Sequence, residues 1–222
     1  MGKQILVIAP HPDDEVLGCG GTIARHADCG DDVHIAIVTR ADPDLYPDDD
    51  EDAFRQEGQA AHQVLGIAST TYLDFPAPRL DTIAGYQLAD RLSNVVCQLQ
   101  PHTIYLPHHG DIHADHQQVY QATLVAARPV NDCSVRQLLC YETLSETEWS
   151  PPRADTTFIP TVFIDINHHL TTKLKAMACY STELKAFPHP RSLEALTALA
   201  KLRGTTVGLV AAEAFAVVRQ IL

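Results

Sequence analysis

Short apolar, β-branched runs alternate with longer stretches of helical periodicity along almost the whole chain, and this alternation constrains the fold more than any other feature. Ile5–Ala9, Val33–Thr39, Thr70–Phe75, Thr103–Leu106, Gln137–Tyr141 and Val162–Ile166 are compact runs bounded by turn-forming residues. Runs of this kind suit strands buried on both faces. Between them the spacing predicts helices over Gly21–Cys29, Asp52–Leu65, Tyr86–Leu99, Gln117–Ala127, Leu170–Leu184 and Ser192–Leu202. Leu88, Leu92, Val95, Val96 and Leu99 share one face of the third, and glycines 66 and 204 stop the second and the last. The expected fold class is therefore α/β: a Rossmann-like, doubly wound, mostly parallel sheet with helices on both faces. With 222 residues, no internal repeat and no low-complexity linker, a single domain over residues 1–222 is expected.

Charge narrows the choice of partner. Lys+Arg 16 against Asp+Glu 28 gives a net charge of −12, which lacks the basic footprint that nucleic acids and anionic membranes require. A small anionic ligand held by a local arginine cluster stays compatible with it. No stretch approaches the ~18–20 apolar residues of a membrane span, and Ile5–Ala9 is too short for the core of a signal peptide. The six cysteines (Cys19, Cys29, Cys97, Cys133, Cys140, Cys179) are scattered without a C-x-x-C pair. Free thiols in a cytoplasmic protein are the expectation.

Open α/β sheets bind ligands at the carboxyl ends of their strands, and two polar segments fall there. Pro10–Glu15 reads P-H-P-D-D-E, four ionisable groups within five residues; such crowding is relieved only by solvent or a cation. Pro107–His116 reads P-H-H-G-D-I-H-A-D-H, and five of the twelve histidines lie between His102 and His116. Taken singly, the first also reads as an acidic solvent loop and the second as fortuitous clustering; His26, His34 and His62 are read as ordinary polar residues. If the first and fourth strands are neighbours, His11, Asp14 and His116 form a two-histidine, one-carboxylate set with a position left for water, the pattern of catalytic zinc. Zinc lowers the pKa of water it holds to ~7. Asp13 is then free to act as general base, and His113 to donate to a developing oxyanion.

H-P-D-D-E after an amino-terminal strand, then G-C-G-G-T-I and later H-A-D-H, resembles the LmbE-like/PIG-L deacetylase family. Arg55…Glu57 before Val64-Leu65-Gly66, Tyr180-Ser181, His189-Pro190-Arg191, Arg203-Gly204 and Glu213-Ala214-Phe215 are similar to its pattern too, so the resemblance covers nearly the whole chain. It implies a zinc-dependent enzyme that removes an acyl group, typically acetyl, from N-acylated amino sugars such as N-acetylglucosamine conjugates. It implies metal on His11, Asp14 and His116, Asp13 as base, His113 as the stabilising or protonating group, Asp115 orienting an imidazole, and Arg55 near the substrate. It also implies homo-oligomers. Ala211 departs from the tyrosine that many relatives carry two residues before the glutamate of A-E-A-F.

Other segments carry weaker expectations. Residues 42–57 hold eight acids against the single base Arg55, a solvated loop entering a helix with Asp52 as its N-cap, or a lid over the site. Trp149 lines a sugar pocket or packs. Arg191, in the proline-stiffened Phe187–Arg191 segment, meets a substrate phosphate or a carboxylate. Gly18-Cys19-Gly20-Gly21 at a helix start suggests instead a dinucleotide-binding oxidoreductase, although the fingerprint should follow its strand immediately. Two histidines and a carboxylate also suit Fe(II), as native metal or in an oxygenase. A non-catalytic metal- or carbohydrate-binding module is the third alternative.

Overall fold

The computed structural model describes residues 2–48, 50–130 and 132–222; Asp49, one of the acids of the 42–57 segment, lies outside them. Seven strands form one sheet: β1 (Gln4–Ala9), β2 (Asp32–Ala41), β3 (Ser69–Ala77), β4 (Thr103–Pro107), β5 (Gln137–Tyr141), β6 (Val162–Asp165) and β7 (Ala212–Gln220). Their order is β3-β2-β1-β4-β5-β7-β6. The helices are α1 (Asp14–Asp28), α2 (Glu51–Leu65), α3 (Gly85–Leu99), α4 (Ala114–Ala126), α5 (Leu170–Met177) and α6 (Leu193–Thr206), with a 3-10 turn at Leu80–Thr82. None is long and apolar enough to cross a membrane.

The pairs β1–β2, β1–β4, β2–β3 and β4–β5 are parallel, and β7 runs antiparallel to both β5 and β6. The expected doubly wound, mostly parallel sheet is therefore what forms. Burial on both faces explains the uniform apolar runs. Along β1, Ile5, Val7 and Ala9 enter the core beneath α1, α2 and α5, while Leu6 and Ile8 enter the opposite core beneath α3 and α4. Each buried aliphatic side chain contributes about 1.5–3 kcal/mol.

Several boundaries differ from the sequence expectation. Strand β7 is an addition to it, because its first third, Ala-Glu-Ala, is built of residues depleted in strands. Helix α1 begins at Asp14 rather than Gly21, which puts G-C-G-G inside it. The glycines serve packing: a Cβ on Gly18 would lie 2.3 Å from the ring of Tyr141, whose hydroxyl donates to the Ile8 carbonyl at 2.9 Å. They form no turn between strand and helix, so the dinucleotide fingerprint is not present. Helix α2 begins at Glu51 with Asp50, not Asp52, as its cap, accepting from the Ala53 N–H at 3.0 Å. Gly66 at φ 76° ends it as expected. Helix α5 stops at Met177, well short of Leu184, because the chain beyond it turns so that Tyr180 is fully buried.

Candidate active site and metal centre

Strand order reverses between β1 and β4, the place where open α/β sheets open a crevice. The chain leaves β1 through residues 10–13 into α1, and leaves β4 through residues 108–113 into α4. Parallel pairing of Ile5 with Thr103 and Val7 with Tyr105 brings the two polar segments together. Asp13 holds φ 100° at the start of α1, a costly backbone state for a non-glycine residue. Its N–H donates to Glu15 Oε2 at 3.2 Å, and buried Glu15 also accepts from Tyr180 Oη at 2.6 Å and meets His62 Nε2 at 3.2 Å. His62, read from sequence as an ordinary polar residue, thus braces the site loop.

His11, Asp14 and His116 each offer a ligand atom, and these atoms lie within 4.8 Å of one another. His11 Nδ1 is 3.3 Å and His116 Nε2 is 3.2 Å from Asp14 Oδ2. The far nitrogens are occupied: His11 Nε2 meets Asp115 Oδ2 at 3.1 Å, and His116 Nδ1 meets Asp111 Oδ2 at 2.8 Å. Such carboxylate partners orient ligating imidazoles and fix their tautomers. A second group, His11, His113 and Asp115, falls within the same distance limit, but both Asp115 oxygens and His113 Nδ1 already have partners. Asp115 Oδ1 accepts from the Leu80 N–H, and His113 Nδ1 accepts from the Asp115 N–H. In the first group Asp14 Oδ1 and His116 Nε2 are buried with no hydrogen-bond partner among the described residues. A buried polar atom left without a partner costs about 1–3 kcal/mol, and a cation held among the three side chains would give His116 Nε2 that partner. The donor set therefore fits a metal ion.

The family profile described as "PIG-L: GlcNAc-PI de-N-acetylase" matches residues 6–127. The chain is 34% identical over 184 residues to "Uncharacterized deacetylase YaiS" of Escherichia coli (strain K12), covering 79% of this chain and 89% of that protein. The chain belongs to the PIG-L family. As a member it is a deacetylase, a hydrolase of that type. A second relative, the 1D-myo-inositol 2-acetamido-2-deoxy-alpha-D-glucopyranoside deacetylase of Kineococcus radiotolerans, is 29% identical over 160 residues, covering 56% of this chain and 44% of that enzyme. The fold is shared with the conserved protein TT1542 from Thermus thermophilus, at TM-score 0.80 and 24% identity over 99% of this chain and 96% of that one.

Within this PIG-L member, electrostatics separates the two adjacent aspartates. Burial pushes Asp13 well above the ordinary carboxylate range, against the pull of Arg191 and helped by Asp14. Asp14 is held well below that range despite its burial, by His116 and His11. Burial would depress both imidazoles, yet Asp115 and Asp14 raise His11 to about 9, and Asp14 and Asp111 raise His116 to about 10. The point where they converge thus attracts positive charge. His113 differs: burial, then His11, lowers it to about 4.

A pocket of about 270 Å³ opens beside this centre, lined by His11, Asp13 and His113 on the floor and by Tyr46, Phe54 and Glu146 among others on its walls. Of the residues expected from sequence, His11, Asp13, Asp14, His113, Asp115 and His116 come together here. Arg55 does not join the lining; it bonds Glu51 at 2.8 Å, pairs with Asp74 and covers the Tyr72 ring. Arg191 meets carboxylates: Asp13 at 3.3 Å, Glu183 at 2.6 Å and Glu146 at 3.6 Å. Ala211 packs against Ile166 and Ala200, outside the pocket. Trp149 is 54% exposed, edge-on to His189. The acidic segment supplies Tyr46, Glu51 and Phe54 to the pocket wall. Asp111, Glu146 and Glu183 are not singled out by sequence; Asp111 alone has a signal there, lying inside the histidine-rich segment.

Proposed function

We propose that this PIG-L family member is a zinc-dependent amidohydrolase that removes an acetyl group from an N-acetylated amino sugar or its conjugate, residues 1–222 acting as one catalytic domain. His11, Asp14 and His116 hold the ion. The observation that carries this reading is the convergence of the donor atoms of His11, Asp14 and His116 within 4.8 Å of one another, with Asp14 Oδ1 and His116 Nε2 buried and without a hydrogen-bond partner among the described residues. The inositol-linked N-acetylglucosaminide in the Kineococcus enzyme's name supports an amino-sugar substrate, and Tyr46 and Phe54 give the pocket apolar faces for a sugar ring.

Bound zinc supplies a Lewis acid and a water of lowered pKa. Asp13 takes the proton of the attacking water, its carboxylate turned into the pocket by the left-handed backbone. His113 accepts the Asp115 N–H at Nδ1, so its proton sits on Nε2, where it donates to the oxyanion of the tetrahedral state. The proton gained by Asp13 passes to the leaving amine. Asp115 acts through His11, and Arg55 acts through Glu51 rather than on the substrate. The same reading places the enzyme in the cytoplasm, where its six free thiols stay reduced, and expects a homo-oligomer.

The test is metal content of protein purified without added metal, wild type beside Asp14→Ala, with acetate release measured on N-acetylglucosaminides. About one zinc per chain, lost in the variant together with activity, is the expected result. Iron in its place would move the native metal to Fe(II). No metal as purified and no uptake of zinc or iron on titration would overturn the reading in favour of a binding module.

A further inference from the structure

The four carboxylates that line the pocket, Asp13, Glu51, Glu146 and Glu183, each face a guanidinium. Asp13, Glu146 and Glu183 share Arg191, at 3.3, 3.6 and 2.6 Å, and Glu51 is held by Arg55 at 2.8 Å. Arg40 lines the same pocket and is exposed, its guanidinium without a carboxylate partner among the described residues. The reason lies in its neighbours. On β3 it is paired with Pro76, and Ala41 with Ala77, residues that carry no charge. The acids that follow it, Asp42 and Asp44, face Arg79 at 2.6 and 3.9 Å. An arginine already bonded to carboxylates has little of its fork left for an incoming anion, whereas a free one presents five donors in a plane that matches a carboxylate or a phosphate bidentately.

The backbone holds Arg40 close to the reacting end of the pocket. The N–H and Oγ1 of Thr39 both donate to the Pro10 carbonyl, at 3.0 and 2.8 Å, which ties the end of β2 to the loop carrying His11 and Asp13. Side chains alternate across a strand: Thr39 is buried against that loop, and Arg40, the next residue, is exposed at the pocket rim. With the acetyl group at the floor and the sugar ring against Tyr46 and Phe54, the group attached to the sugar emerges at this rim. We propose that Arg40 is a specificity-determining residue, receiving a carboxylate or phosphate carried by the group attached to the N-acylated amino sugar. The inference rests on the deacetylase reading above and adds the charge class of the substrate and the residue that reads it.

The experiment uses the zinc-loaded full chain and three glycosides of N-acetylglucosamine that differ only in the attached group: 2-hydroxyethyl, carboxymethyl and 2-phosphoethyl. At low ionic strength the expected kcat/KM is about tenfold higher for at least one anionic compound than for the hydroxyethyl one; the compound that gains identifies the anion as carboxylate or phosphate. The advantage shrinks near 1 M salt, where the screening length falls to about 3 Å. Arg40→Met abolishes it, the loss falling on KM rather than kcat because the contact is made to a part of the substrate that does not react. Arg40→Lys restores part of it, as a point charge in place of a fork, and zinc content near that of wild type shows that the floor of each variant is intact. Equal kcat/KM for all three compounds in wild type, or an anionic advantage that survives Arg40→Met, would overturn the role of Arg40 while leaving the deacetylase reading in place. Failure of all three to release acetate from metal-loaded protein would instead remove the reading on which the inference stands.

Discussion

Asp13 and Asp14 are neighbours with the same side chain, and the turn between them sends the two carboxylates to different work. Asp14 faces two imidazoles and is held ionised; Asp13 faces the pocket and Arg191. Adjacent carboxylates driven apart in this way suit the proposed division between ligand and base. Asp13→Asn should therefore keep its zinc and lose about 10²–10⁴-fold in kcat, read as metal content beside acetate release; a variant of near wild-type turnover would remove Asp13 as the base. Asp111 works one bond further out. It accepts from His116 Nδ1 at 2.8 Å and from Thr147 Oγ1 at 2.6 Å, which aims Nε2 at the metal position. Asp111→Ala should weaken zinc binding about 10–100-fold without emptying the site at saturating zinc, measured by competition with a chromophoric chelator. The clustering of the three proposed ligands is legible in sequence because histidine and aspartate crowd at strand ends. Asp111 sits in the same segment but five residues before His116 in a loop, where spacing alone does not say which oxygen reaches which nitrogen.

At the scale of elements, α1 joins the site to β7, the strand next to the far edge of the sheet. The N–H groups of Gly21 and Thr22 donate to the Glu213 carboxylate at 2.9 and 2.7 Å. Lys173 Nζ meets that carboxylate at 2.6 Å and the Leu17 carbonyl at 2.8 Å. Strand β7, helix α5 and helix α1 are thereby locked through one buried ion pair whose side chains are 5% and 4% exposed. Removing one partner strands the other's charge. Lys173→Met should cost about 3–5 kcal/mol in urea unfolding, and Lys173→Met/Glu213→Gln should recover part of it, because the amide oxygen still accepts from α1. A Lys173→Met midpoint equal to wild type would show the pair to be neutral for stability. The strands buried on both faces announce themselves as unbroken apolar runs. Strand β7 does not, since its Glu213 serves α1 rather than a solvent face and its alanines carry no strand preference. The start of α1 is hidden for a related reason: its first turn is Asp14-Glu15, residues spent on the site rather than on a cap.

Across the whole molecule, the sheet sets β1 and β4 side by side, and the metal position spans the two loops that leave them. Pocket residues from late in the chain, Glu146, Glu183 and Arg191, reach it only because the later loops fold over the same end of the sheet. That closure depends on pairings far apart in sequence, so the wall is not legible where the floor is. A ligand that binds only the folded chain stabilises it by about 4 kcal/mol at a thousand times its dissociation constant. For a domain of this size each kcal/mol moves the midpoint by about 2–4 °C. Chelation followed by desalting should thus lower Tm by roughly 8–16 °C relative to protein in excess zinc, and returning zinc should restore it. Asp14→Ala lacks the central ligand and should melt at one temperature with or without zinc. On the proposed reading the stabilisation would arise at the crevice, where donors from the β1 and β4 loops converge in the native state, an arrangement the unfolded chain lacks. An unchanged wild-type Tm across the same titration, with zinc shown to bind, would mean that zinc holds the unfolded chain as tightly, and a specific site between the two loops would be ruled out.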